Sequence, residues 1–170
     1  MWAHERGQTC HHRRVTRIHV PPQKVLHGKC AFAYIDDVSV SVTNNPEWTD
    51  EEVVAYLDEI TELGQHVSAS AAISDFRGAM FGARERRVLV DWMEREKISA
   101  QQRTCLITDS ALLRGAVTAY AWMTGTEGRA FSRADKTRAC AWTTETTRAT
   151  AAEVEAALVE CYALLGFEPG

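Results

Sequence analysis

The sequence lacks the motifs that mark the common catalytic and nucleotide-binding sites. It contains no Gly-x-Ser-x-Gly elbow, no phosphate-binding loop and no glycine-rich dinucleotide fingerprint. Beyond residue 30 its only histidine is His66, so a serine or cysteine nucleophile has few candidate general bases. These absences predict that the protein is not an enzyme.

Long apolar runs are also missing. No stretch approaches the roughly 20 apolar residues of a membrane-spanning helix, and the first residues lack the apolar core of a signal peptide. We therefore expect no insertion into a membrane.

The cysteines show no pairing pattern. The five cysteines are scattered, and no Cys-x-x-Cys pair occurs. Cys105, Cys140 and Cys161 lie in apolar segments, as small core residues do in a reducing compartment, which predicts a cytoplasmic location. The N-terminal region does hold zinc-type side chains, namely His4, Cys10, His11, His12, His19, His27 and Cys30. Their spacing matches no closed zinc pattern, so neither a metal nor a cofactor is predicted.

Charge is divided unevenly along the chain. Residues 1–30 contain six lysines and arginines and one acidic residue, Glu5, which gives them a net charge of +5 and leaves −9 for the remainder. A basic arm can bind nucleic acid, but this one has no interleaved aromatic residues, so nucleic acid is not predicted as a partner. Residues 1–14 are predicted to be a disordered basic tail, and residues 15–170 to form one domain with an added C-terminal helix.

Short apolar segments predict six strands. They cover residues 15–20, 31–35, 38–42, 68–74, 104–108 and 127–131. Pro21 and Pro22 are expected to end the first strand, because proline cannot donate a hydrogen bond to a sheet. Asp36 and Asp37 form a two-residue turn between the second and third strands, which predicts an antiparallel hairpin.

Capping patterns locate the helices. Thr49 with Glu52, Ser132 with Asp135, and Thr150 with Glu153 each have the spacing of a capping box. Ser110 is placed to cap a helix in which Leu112, Leu113, Ala116, Val117, Tyr120 and Ala121 form the apolar stripe, and Gly125 ends it. A further helix of about fifteen residues is expected after Gly82.

The order of these elements predicts the fold class. The later strands alternate with helices, which indicates parallel strands joined by right-handed helical crossovers. We therefore expect an α/β domain with a single mixed sheet, in which an antiparallel N-terminal hairpin precedes the parallel strands.

Two stretches, LITDSALLRGAVTAYAWM and RAFSRADKTRACAW, together with this element order, resemble the SpoIIAA-like branch of the STAS domains. The resemblance covers residues 15–142. It implies a bacterial-type regulatory module without a cofactor, which binds other proteins or, in some branches, nucleotides or lipids. In antagonists of this family a serine after the second buried strand accepts phosphate. Residues 75–84 contain no serine or threonine, so that switch cannot be transferred to this chain.

Two groups of residues are candidate sites. Arg77, Gly78, Gly82, Arg84 and Arg87 surround a predicted helix start and could bind an anion or an acidic partner. The alternative is a solvated helix face whose arginines pair with neighbouring acidic residues.

The second candidate is polar and consists of Asp109, Ser110 and Arg114 at the end of a strand, where α/β folds place ligands. Its alternative is a helix cap with an exposed arginine. The sequence thus leaves two functions open: docking of a partner protein or a second copy, and binding of a lipid or nucleotide. An exposed apolar patch would favour docking, and an enclosed apolar cavity would favour binding.

Overall fold

A computed structural model describes residues 17–44, 48–63, 69–77, 87–88, 91, 95 and 103–168. The predicted tail over residues 1–14 and His66 lie outside these described residues. Where the sequence predicts a helix after Gly82, residues 87, 88, 91 and 95 are helical.

One sheet of six strands has the spatial order β1-β2-β3-β4-β5-β6, identical to the order along the chain. The strands are β1 His19–Val25, β2 Cys30–Ile35, β3 Val38–Thr43, β4 Ala71–Phe76, β5 Arg103–Ile107 and β6 Gly128–Phe131. The first three strands pair antiparallel, and β3 to β6 pair parallel. The predicted α/β fold with a mixed sheet is therefore confirmed.

Four helices have described boundaries. They are α1 Asp50–Leu63, α2 Ala111–Thr124, α3 Lys136–Thr144 and α4 Ala151–Leu165. The capping boxes predicted at Thr49 and Thr150 are present, with the threonine hydroxyl and the glutamate carboxylate each bonded to backbone N–H groups. The one predicted at Ser132 is wrong, because a 3-10 turn over Arg133–Asp135 intervenes and the Ser132 hydroxyl donates to the Asp135 carboxylate instead.

The sheet carries an apolar cluster on each face. Val38, Val40 and Val42 face α3 and α4, whereas Phe32 and Tyr34 of β2 face α1. Alternation along the hairpin predicts Val38, Val40 and Val42 inside and Ser39 and Ser41 in water. Ser39 is half-buried, and the expectation for Ser41 is wrong, because α1 covers that face and buries Ser41, whose hydroxyl donates to Ser74 at 2.8 Å.

The first strand also departs from expectation. It runs through Pro21 and Pro22 instead of ending before them. The register with β2 shifts between Val20 and Gln23, so the prolines occupy an irregularity on an edge strand. An edge strand tolerates proline there because its outward N–H groups have no partner to lose.

The parallel strands end at one edge of the sheet. The chain leaves β4, β5 and β6 there, at Phe76, Ile107 and Phe131. This carboxyl edge brings together residues that lie far apart in sequence, including one member of each predicted site.

Candidate functional site

A fully buried carboxylate, Asp75, lies at the carboxyl end of β4. Its oxygens accept hydrogen bonds from the Tyr162 hydroxyl at 2.9 Å, from Arg77 Nε at 3.3 Å and from Arg133 Nε at 3.2 Å. Arg133 Nη2 also lies 3.2 Å from Asp75 Oδ1. Two guanidinium groups therefore neutralise a charge that would otherwise be very costly to bury.

Arg133 connects this carboxylate to Asp109, which follows β5. Its Nη1 donates to Asp109 Oδ2 at 2.6 Å, and its backbone N–H donates to Asp109 Oδ1 at 3.1 Å. Its Nη2 also donates to the Phe76 carbonyl at 2.9 Å. Asp75, Arg77, Asp109, Arg133 and Tyr162 thus form one network, the Asp75 cluster, which fastens β4, the ends of β5 and β6, and α4 together.

The electrostatics of the Asp75 cluster follow from these bonds. The backbone hydrogen bond from Arg133 lowers the pKa of Asp109, with its guanidinium adding to the effect. Partial burial acts to lower the pKa of Arg133, but its bonds to Asp75 and Asp109 outweigh this and raise it. Burial, followed by the nearby Asp75 charge, raises the pKa of the Tyr162 hydroxyl. All three groups are therefore held in their ordinary neutral-pH protonation states, which suits a structural network more than acid–base chemistry.

Arg77, a predicted anion-site residue, belongs to this cluster. Its guanidinium stacks on the rings of Tyr162 and Phe167, at 4.5 and 4.6 Å from their centroids. These contacts, with its bond to Asp75, hold it against the body of the protein. Arg87 is exposed, and Gly78, Gly82 and Arg84 lie outside the described residues, so the anion site of that group stays a prediction.

The three residues of the second predicted site, Asp109, Ser110 and Arg114, each bind a different partner. Ser110 caps α2 by accepting a hydrogen bond from the Leu113 N–H at 3.3 Å, which is the helix-cap alternative. Asp109 pairs with Arg133, and Arg114 Nη1 donates to the Thr108 carbonyl at 2.9 Å.

Arg114 also borders an open polar depression beyond β6. This depression has a volume of about 310 Å³ and is lined by Arg114, Arg129, Ala130, Phe131, Ser132, Asp135 and Arg138. Its lining is mainly charged, unlike the apolar lining of a lipid pocket. The Asp135 carboxylate is engaged within it, because bonds from the Ser132 hydroxyl and from Arg138 lower its pKa.

The most unusual surface is the outer side of α2. Leu112, Trp122 and Met123 are 85%, 88% and 78% exposed, and they are the large apolar residues that stand out as exposed in the described part of the chain. Small exposed residues separate them along the helix. We name this surface the α2 face and define it as Leu112, Gly115, Ala116, Ala119, Trp122 and Met123.

The sequence pattern assigned some residues of this helix to the wrong side. The predicted apolar stripe includes Leu112 and Ala116, yet both are exposed, whereas Leu113 is buried. Tertiary position explains the error, because α2 packs chiefly on β6, the last strand of the sheet, and among the described residues one narrow side of the helix is covered. One signal was available: α2 carries a single charged residue, Arg114, and is apolar around most of its circumference.

Comparison with models of known protein families, with curated proteins and with solved structures finds no match to this chain. The resemblance to SpoIIAA-like STAS domains therefore stays a prediction. Within the described residues, no group of three or more metal-type side chains is assembled. None of the helices in that part of the chain has both the length and the apolar character needed to cross a bilayer.

Proposed function

We propose that this protein is a non-enzymatic regulatory module of the SpoIIAA-like type, which acts by docking another protein chain through the α2 face. The observation that carries the proposal is the exposure of Leu112, Trp122 and Met123 on one helix. Their rings and side chains, with the small residues between them, present roughly 600 Å² of mainly apolar surface. A patch at this upper end of the usual size range is typical of interaction sites.

The composition of the α2 face supports a protein partner. Tryptophan and methionine are enriched at the centres of protein interfaces, and charged side chains are depleted there. The α2 face contains Trp122 and Met123 and no charged residue. Helices that lie on membranes instead carry lysine and arginine along a polar face, and α2 carries one arginine in fourteen residues.

The cellular setting belongs to the same proposal. We expect the protein to act in the cytoplasm, because its described cysteines, Cys30, Cys105, Cys140 and Cys161, are buried free thiols. Residues 75–84 contain no serine or threonine, so we expect docking without the serine phosphorylation switch of the SpoIIAA-like antagonists.

Small-molecule binding is the second candidate function. The specific observation that favours it is the depression lined by Arg114, Arg129 and Arg138, where three guanidinium groups face one carboxylate. Its polar lining favours a nucleotide over a lipid. Isothermal titration with nucleotides would detect it, and Arg129→Ala would be expected to abolish the heat of binding.

Site-specific photocrosslinking tests the docking proposal. A benzophenone amino acid replaces Ala119, at the centre of the α2 face, and the full chain is expressed in its native cell. We expect a discrete protein adduct, either with a second copy or with another polypeptide, which Leu112→Glu combined with Trp122→Glu abolishes. The control places the same probe at Ala156, which is exposed on α4. Absence of a discrete adduct at Ala119, or equal adducts at both positions, would overturn the proposal.

A further inference from the structure

We infer that the occupant of the α2 face is a second copy of this chain, bound with the two α2 helices antiparallel. This inference rests on the proposed docking function and adds the identity and orientation of the partner. It is carried by the spacing of the exposed residues, by an unexplained glycine, and by the charge and area of the face.

Four of the six residues of the α2 face form a symmetric series along the helix. Leu112, Ala116, Ala119 and Met123 are separated by steps of four, three and four residues, so the series has the same spacing from either end. A two-fold axis through its midpoint places Leu112 of one copy beside Met123 of the other, and Ala116 beside Ala119. An interface with two-fold symmetry requires this kind of self-complementarity, in which residue i meets j and j meets i.

Gly115 supports close approach of another helix. A glycine inside a helix costs about 1 kcal/mol relative to alanine. Within the described part of the chain no contact requires it, because a Cβ atom built at Gly115 would meet nothing there within 4 Å. With Ala116 and Ala119 it makes the centre of the α2 face flat, which allows two helix axes to approach to the short end of the usual range of about 8–10 Å.

The charge of the face is also compatible with self-association. Two identical surfaces bring like charges together unless charged residues are absent or lie outside the contact. The α2 face has none, and the nearest charge on the helix, Arg114, is bonded to the Thr108 carbonyl.

The available area matches a weak and specific dimer. Two copies of a face of roughly 600 Å² would bury about 1,200 Å² in total, which is the lower limit of standard stable interfaces. We therefore expect a dissociation constant in the micromolar range.

Sedimentation velocity of the purified full chain tests the inference. We expect a concentration-dependent shift from a 19.0 kDa monomer to a species of twice that mass. Ala119→Glu and Ala116→Lys should each weaken dimerisation about tenfold or more, because each buries an unpaired charge at the centre of the contact. An equimolar mixture of the two variants should dimerise again, since the antiparallel register places the lysine introduced in one variant beside the glutamate introduced in the other.

Two further variants separate specific docking from general stickiness. Gly115→Leu adds apolar area at a position where an added Cβ atom meets no described atom within 4 Å, so non-specific association would increase, whereas a close helix pair would weaken. Ala156→Glu changes a matched exposed alanine on α4 and should leave the monomer–dimer equilibrium unchanged. Circular dichroism checks that each variant keeps the fold.

The outcomes distinguish this inference from the proposal beneath it. A chain that stays monomeric at about 1 mM, far above the expected micromolar dissociation constant, or a dimer indifferent to Ala119→Glu, overturns the inference. If the photocrosslinker at Ala119 then captures a different polypeptide, the docking function stands. If it captures nothing, both fail.

Discussion

Replacing Asp75 with asparagine tests whether the Asp75 cluster holds the carboxyl edge of the sheet together. Asparagine has nearly the same shape but no charge, and its amide group presents donors where the carboxylate accepts from Arg77, Arg133 and Tyr162. Removing one partner of a buried ion pair generally costs about 3–5 kcal/mol, because the remaining charge is left uncompensated.

The surroundings of the arginines reduce this cost. Arg133 keeps its bonds to Asp109 and to the Phe76 carbonyl, and its side chain is 27% exposed. Water can therefore reach part of the guanidinium that Asp75 releases. We expect Asp75→Asn to lower the free energy of unfolding by about 2–4 kcal/mol, a large share of the roughly 5–15 kcal/mol of a typical domain.

Urea unfolding followed by circular dichroism at pH 7 measures this loss. Asp109→Asn is the matched control, because Asp109 binds the same Arg133 but its side chain is 59% exposed. An exposed pair of this kind contributes at most about 1 kcal/mol. The reasoning is refuted if Asp75→Asn stays within about 0.5 kcal/mol of the wild type, or if the control costs as much as Asp75→Asn.

Four smaller predictions concern single positions. Gly115→Ala should stabilise α2 by about 0.5–1 kcal/mol and raise Tm by a few degrees in calorimetry at low protein concentration; a lower Tm would contradict the open space around this glycine. Thr150→Ala should cost about 1 kcal/mol in urea unfolding, since it removes the capping box of α4, and an unchanged midpoint would show that the box contributes nothing. The pKa of Cys105 and of Cys161 is raised by burial to about 12, so iodoacetamide at pH 8 should label neither thiol until urea unfolds the chain, as mass spectrometry would show. The pKa of Asp109 is lowered in the folded state, so its contribution is present above the ordinary value of 3.8 and is lost as the pH falls through the lower folded value; urea midpoints from pH 5 to pH 2.5 should therefore fall less steeply for Asp109→Asn than for the wild type.

Local signals in the sequence were sufficient for the fold. The turn at Asp36 and Asp37 fixes the hairpin, with Asp36 at a φ of +54° and Ile35 paired to Val38. The threonine caps and the glycine ends of helices act within four residues of the chain, so their patterns are legible in one sequence. The alternation of strands and helices then left few topologies, because sequential parallel strands with helical crossovers usually lie side by side.

The Asp75 cluster was not predictable in the same way. Arg133 and Tyr162 are separated from Asp75 by 58 and 87 residues, and no spacing rule connects positions so far apart. The sequence assigned Arg77 to an anion site and Asp109 to a ligand site because it could not show that each already had a partner. These charges are paired because the carboxyl ends of β4, β5 and β6 lie side by side at one edge of the sheet.

The exposed surface of α2 combines two features that each lower the stability of the isolated chain: large apolar side chains in water and a glycine inside a helix. α2 covers β6 with one of its sides, which includes the buried Leu113. Polar residues in place of Leu112 and Trp122 would leave that contact intact and would remove apolar area from water. Gly115 adds a second cost on the same side of the same helix, again without a contact to any described residue. Two independent costs that converge on one surface are explained together if another helix covers it, whereas an unoccupied face would leave both without a physical reason.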